Sequence, residues 1–252
     1  MLLGPSHHKS MSECEVSGFE SLETPLGSLP VDVEVVKQLL QSKHFHAMTA
    51  VEDEEEHSLE MHLPLIRKVF ENRDVKVVPI MVGHLNKNKV KHYAEELAPY
   101  VAQPDTMLIV SSDFCHWGRH FNYQRYHASE NHVAFDLRLG FPPPPNGLPI
   151  YESIRRIDEY GMKAISYGES GFLVPNEDAA AALHAFQSYI DHTHNTVCGR
   201  VPIELMLGIM AHLKEQGYNS MCRFTHYDQS SHCKVPTDNS VSYASAYVTR
   251  MA

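Results

Sequence analysis

Two apolar runs separated by one amphipathic helix constrain the fold of this chain more than any other feature. The first, Val75-Lys76-Val77-Val78-Pro79-Ile80-Met81-Val82, is nearly continuous and is bounded by Asp74 and Gly83. A strand wetted on one face alternates apolar and polar residues; a strand buried on both faces of a parallel sheet need not. A helix over residues 86–100 follows, and a second buried strand over 106–110 runs into Ser111-Ser112-Asp113-Phe114-Cys115-His116-Trp117-Gly118. Strand, helix and strand in that order predict an α/β fold, with a mostly parallel central sheet flanked by helices and right-handed crossovers.

The remaining pattern extends this scheme. Met1-Leu2-Leu3 reads as the end of a buried strand breaking at Gly4-Pro5, and residues 14–19 as another short strand. Val33, Val36, Leu39 and Leu40 share one face of a helix over 31–41, with Asp32 near its start. The acids Glu52-Asp53-Glu54-Glu55-Glu56 precede a helix over 57–70, in which Pro64 marks a kink or an effective first turn. Helices over 150–166 and 176–192 are expected to cover the sheet. Pro202 opens a further helix that stops at Gly217, and strands over 220–227 and 240–249 are expected to pair antiparallel. Residues 119–150 break the rhythm and read as a surface excursion, with Phe141-Pro142-Pro143-Pro144-Pro145-Asn146-Gly147 as a rigid loop.

Composition narrows the classes of function. A net charge of -10, with no basic stripe, argues against nucleic acid or an anionic membrane surface as partner. No apolar run is long enough for a membrane span. The five cysteines are scattered without a C-x-x-C pair, so neither a disulfide framework nor a zinc ribbon is indicated, and a reducing, cytosolic setting fits. Eighteen histidines raise the prospect of a metal or proton-transfer site without locating it.

Topology supplies candidates. His7 and the segment from Asp113 to His116 each follow the carboxyl end of a predicted strand, the edge where open α/β sheets bind ligands. Cys198 stands just before a helix start, where unpaired N–H groups favour the thiolate. Each residue also has a structural reading: His7 and His8 as hydrogen-bonded loop residues, Asp113 as a loop cap, His116 as a packed histidine, and Cys198 as a small buried hydrophobe. His57, Glu60 and His62 form H-x-x-E-x-H, in which the histidines diverge by about 140° on a helix. They are assigned a structural or rim role.

Taken together, five motifs resemble the Memo family, the mediators of ErbB-driven cell motility. They are Gly4-Pro5-Ser6-His7-His8, Glu55 to Pro64, Ser111 to Gly118, His194-Asn195-Thr196-Val197-Cys198-Gly199-Arg200, and Ser240-Val241-Ser242-Tyr243-Ala244. The resemblance covers a single domain over 1–252, apart from residues 127–148, which read as a loop insertion. It implies a fold similar to the class III extradiol dioxygenases, with a pocket of two histidines and a cysteine in place of their two histidines and carboxylate. The second family histidine falls on His7 and the cysteine on Cys198, as metal ligands. Asp113 and His116 take orienting and acid/base positions.

The first family histidine belongs to an A-P-H-A-G-Y motif that has no counterpart in this sequence. The start inside a strand is therefore read as a truncated gene model or isoform, with a degenerate member of little metal affinity as the alternative. A thiolate in place of a carboxylate softens the site and shifts it from ring cleavage toward copper or zinc. The implied function is binding of iron or copper in signalling to the cytoskeleton and cell motility, as an adaptor and not a demonstrated enzyme. The alternative is a metal-dependent, dioxygenase-like oxidoreductase. Implied partners are phosphorylated receptor tyrosine-kinase peptides or signalling proteins, although no arginine cluster supports a phosphopeptide site. The expected location is the cytoplasm, with the nucleus as a second site.

Overall fold

The computed structural model describes residues 1–127, 134–139, 143–144, 146–168 and 176–251. The chain divides into two compact units, Met1–Ser112 with Gly199–His212 and Asp113–Cys198 with Leu213–Ala252.

The first unit is built on a five-stranded sheet. Its strands are β1 (Leu2–Pro5), β2 (Cys14–Val16), β5 (Phe45–Ala47), β6 (Pro79–Val82) and β7 (Ile109–Val110), in the order β5-β2-β6-β1-β7. The short pair β3 (Ser21–Leu22) and β4 (Leu29–Pro30) stands apart from it. β1 is parallel to both β6 and β7, with Leu3 opposite Ile80 and Val110, and β2 is parallel to β5. Only the β2–β6 pairing is antiparallel among the described pairs of this sheet. The mostly parallel sheet expected from the apolar runs is present. Leu2, Leu3, Ile80, Met81 and Val82 are all buried, and because successive side chains point to opposite faces, both faces must be covered. The run from Val75 is shorter as a strand than its composition suggests. β6 opens at Pro79, which has no N–H to give to a ladder, and Val77 makes only an isolated parallel bridge to Val31.

Helices flank this sheet. α1 (Val33–Gln41) is capped by Asp32 and buries Val36 and Leu39, whereas Leu40, expected on the same face, is exposed. α2 (Ala50–Glu55) starts in a capping box between Thr49 and Glu52. The predicted helix over 57–70 is two helices, α3 (His57–Glu60) and α4 (Leu63–Val69), with Pro64 in the first turn of the second. α5 (Lys87–Val101) buries Tyr93, Ala94 and Leu97 and lies against α8 (Arg200–Glu215), where a Cβ on Gly208 would meet Ala94 Cβ at 3.2 Å.

The second unit contains α6 (Ile150–Ile165), α7 (Ala179–Thr193) and a sheet in the order β11-β12-β8. β8 (His116–Trp117) pairs with the start of β12 (Ser240–Arg250), which pairs antiparallel with β11 (Ser220–Gln229), as expected. α6 and α7 were expected to cover the central sheet. They belong instead to this unit and pack on each other, with Gly161 of α6 directly under the Tyr189 ring.

The stretch read as a surface excursion is also partly internal. β9 (Arg125–Tyr126) pairs with β10 (Phe135–Asp136), and Tyr123, Tyr126 and Leu137 join Cys115, Trp117, Ile150, Ile154 and Cys233 in one apolar cluster. The aromatic residues that broke the helical rhythm are core residues of this unit. Much of 127–148, including part of the proline run, lies outside the described residues. Among the described residues no helix is long and apolar enough to cross a membrane.

Candidate functional site

In the first unit the chemistry starts where β1 ends. A Cβ on Gly4 would collide with Ser58 and Leu59, so glycine is what allows α3 to sit against the end of this strand. The Ser58 hydroxyl fixes the contact by donating to the Pro5 carbonyl at 2.8 Å. Glu56, at the N-terminus of α3 and 1% exposed, then faces the loop that carries His7. Its carboxylate accepts the His7 backbone N–H at 2.8 Å and the Ser58 backbone N–H at 2.9 Å, and its Oε1 lies 2.8 Å from His7 Nδ1.

Burial alone would push the Glu56 carboxyl up. The hydrogen bonds from the His7 ring, the His7 N–H and Ser58 outweigh it and bring the carboxyl down to about 2. An ionised carboxylate only accepts, so His7 Nδ1 must be the donor and the neutral ring keeps its lone pair on Nε2. The His57 ring packs against His7 with centroids 4.2 Å apart, and its Nδ1 is 3.7 Å from Glu56. His7, Glu56 and His57 each offer a ligand atom within 4.8 Å of the others.

The second unit gathers Asp113, His116 and Cys198 in the same way, with ligand atoms within 4.8 Å of one another. The backbone N–H of Asp113 donates to Cys198 Sγ at 3.1 Å, and the Sγ lies 3.8 Å from the Asp113 carbonyl. The His116 ring is fixed by two carbonyls, those of Phe114 and Thr196, each 3.0 Å from Nδ1. Carbonyls cannot donate, so Nδ1 carries the proton and Nε2 the lone pair, 3.8 Å from Asp113 Oδ2. The Thr196 hydroxyl accepts the His116 N–H at 2.7 Å and donates to the His116 carbonyl at 2.9 Å, locking the two motif loops together.

Behind these loops lies a second carboxylate. Asp158 of α6 is fully buried; its Oδ1 accepts the Cys115 N–H at 3.2 Å and the Asn195 amide at 2.9 Å, and its Oδ2 accepts the Tyr227 hydroxyl at 2.9 Å. Here burial wins over the hydrogen bonds from Ser242, Asn195, Tyr227 and Cys115, and the carboxyl is raised to about 6. Asp158 thereby joins the loop before β8 to the loop before α8.

Of the four residues singled out by sequence, Asp113, His116 and Cys198 form one cluster, while His7 sits in the other unit with Glu56 and His57. His57, assigned a rim role, packs against His7 with its ring tilted by 32°. Glu56 and Asp158 escaped sequence reasoning. Glu56 was one of five consecutive acids and indistinguishable from its neighbours as a helix-start residue. Asp158 did leave a trace, an acid beside Ile157 and four residues after Ile154 on the apolar face of α6.

Three donor groups of mixed hardness therefore exist in this chain, imidazole, thiol and carboxylate, and their chemistry suits a transition metal. A family model described as Memo-like protein matches residues 1–247. Protein MEMO1 of Danio rerio is 37% identical over 245 residues, covering 96% of this chain and 72% of that protein. Protein MEMO1 of Homo sapiens is 35% identical over 250 residues, covering 98% and 74%. Protein memo-1 homolog of Caenorhabditis elegans is 36% identical over 245 residues, covering 97% and 62%. Matched from its first strand to its last, the chain belongs to the Memo family.

Proposed function

We propose that this chain is a metal-binding Memo protein that acts as an adaptor in signalling to the cytoskeleton and cell motility, with iron or copper as its metal. His7 and Cys198 are the ligands, His116 takes up and passes on a proton at its Nε2 lone pair, and Asp113 orients it. The observation that carries the metal reading is the buried Glu56 behind His7. A carboxylate on one ring nitrogen fixes the tautomer, leaves the lone pair on the other nitrogen and raises its basicity, the arrangement that supports metal-bound imidazoles. Cys198, held by the Asp113 N–H, adds a soft donor. When bound, such an ion would supply Lewis-acid or one-electron chemistry.

A dioxygenase-like fold is part of the same reading, supported by the mostly parallel sheet and its covering helices. Phosphorylated receptor tyrosine-kinase peptides or signalling proteins are the proposed partners, and the cytoplasm, with the nucleus as a second site, the proposed location. Family membership supports these assignments.

The test is metal content after anaerobic loading with Fe(II), or loading with copper. Wild type should lose one equivalent on either His7→Ala or Cys198→Ala, and unchanged content in both variants would overturn the ligand assignment. The His116 ring, with its lone pair toward Asp113, favours a second reading as a metal-dependent oxidoreductase. Oxygen uptake by the loaded protein with catechols, abolished by His116→Ala, would select that reading.

A further inference from the structure

We infer that the first unit carries a separate site for a divalent transition-metal ion, formed by His44, His92 and Glu96. His44 immediately precedes β5, while His92 and Glu96 lie four residues apart on one face of α5. Their ligand atoms form a nearly equilateral triangle. His44 Nδ1 is 2.8 Å from Glu96 Oε1 and 2.9 Å from His92 Nε2, and His92 Nε2 is 3.0 Å from Glu96 Oε1.

These spacings are those of atoms that could share one face of a coordination shell. Ligands about 2.1 Å from a metal are about 3.0 Å apart when they share a face of an octahedron, and about 3.4 Å apart at the corners of a tetrahedron. The triangle matches the octahedral face. Two imidazoles and one carboxylate in facial array leave three positions for water, a set suited to Fe(II), Co(II), Ni(II) or Zn(II).

Protons do not account for the cluster as well as a cation does. The two imidazole nitrogens, 2.9 Å apart, face each other lone pair to lone pair unless at least one is protonated, and where both donate to Glu96 Oε1 their N–H groups are crowded; Ser42 Oγ, 3.1 Å from His44 Nδ1, reaches one of them. A divalent cation interacts with all three atoms at once. The surroundings also fix the ligands. The Ser42 hydroxyl lies 2.9 Å and 3.1 Å from the two Glu96 oxygens. The buried Tyr93 on the same helix donates its hydroxyl to the His44 carbonyl and accepts the Cys14 N–H at 3.0 Å, tying α5 to the strand edge. The side chains of His44, His92 and Glu96 are 42%, 45% and 24% exposed, so an ion can reach them from solvent.

The test uses the whole chain without a polyhistidine tag, stripped with chelator and titrated with Co(II). It is run in a His7→Ala/Cys198→Ala background, so that the ligands proposed above cannot contribute. One equivalent of Co(II) should bind with the weak visible absorption of a six-coordinate ion and no sulfur charge-transfer band. Adding His92→Ala or Glu96→Gln should weaken binding at least tenfold. It should also abolish the rise in Tm that Ni(II) gives the parent through mass action. Absence of stoichiometric Co(II) binding in the background protein, or equal affinity after His92→Ala and Glu96→Gln, would overturn the site. The Tm of each variant without metal, expected within a few degrees of the parent, separates loss of the site from loss of the fold.

Discussion

Glu56 and Asp158 are both buried carboxylates, and both accept a backbone N–H from a motif loop, yet burial and hydrogen bonding move them in opposite directions. Glu56 is brought down to about 2, Asp158 raised to about 6. On Glu56 two backbone N–H groups and an imidazole converge. Asp158 lies in the interior with a single backbone N–H, an amide and hydroxyls, and neutral donors do not offset the loss of water at that depth. Burial by itself does not fix the charge of a carboxylate; the donors and the distance to solvent do. Glu56 is thus a permanently ionised support for His7, and Asp158 a titrating joint between two loops.

The comparison can be broken most severely at Asp158. Asp158→Ala leaves the Cys115 N–H, the Asn195 amide and the Tyr227 hydroxyl without their acceptor, and should cost about 3 kcal/mol or more in chemical denaturation. A loss below about 1 kcal/mol would mean that water replaces the carboxylate and that the joint is not rigid.

Titration tests the sign. Because the folded-state value is raised from 3.8 to about 6, the native state holds this proton more tightly than the unfolded chain does. Its contribution to stability is therefore complete below the unfolded value and is lost as pH rises through about 6, by about 3 kcal/mol. Asp158→Asn should flatten that part of the stability-versus-pH curve between pH 4 and 7. An unchanged slope would assign it to other groups.

Glu56→Gln probes the other carboxylate. The amide keeps the shape but loses the ionised acceptor, so affinity for Fe(II) or copper should fall by about tenfold to a hundredfold, read by competition with a chromophoric chelator. Equal affinity would detach Glu56 from metal binding. The smallest effect is expected from Thr196→Val, which removes the hydroxyl between two backbone groups of His116 and should cost about 1 kcal/mol in urea. If it instead cost as much as Asp158→Ala, the two loops would depend on Thr196 and not on the buried acid.

The sheet was legible because strands buried on both faces need not alternate, and Val77 to Val82 do not. The antiparallel β11–β12 pair and the break at Pro64 were legible for similarly local reasons. Residues 119–150 were misjudged because Tyr123, Tyr126 and Leu137 have no common period; their burial depends on contact with α6, which spacing does not encode. Asp113, His116 and Cys198 could be picked out by type and by position at element ends. Glu56 could not, since five adjacent acids look alike until Gly4 brings α3 against the end of β1 and selects one of them. The His44 cluster was hidden for the same reason, as only two of its three members share a helix.

The closeness of Gly4 to α3 also bears on when the clusters of ligand atoms can form. His7 and Glu56 are 49 residues apart in the chain and Asp113 and Cys198 are 85 apart, whereas His92 and Glu96 are a single helical turn apart. Closing the longest of these separations costs about 3 kcal/mol more loop entropy than closing one helical turn. A chain still emerging from the ribosome therefore presents no Cys198 cluster to a passing ion, because that cluster follows completion of its loops. Any ion bound there would therefore meet the finished protein and not a nascent segment.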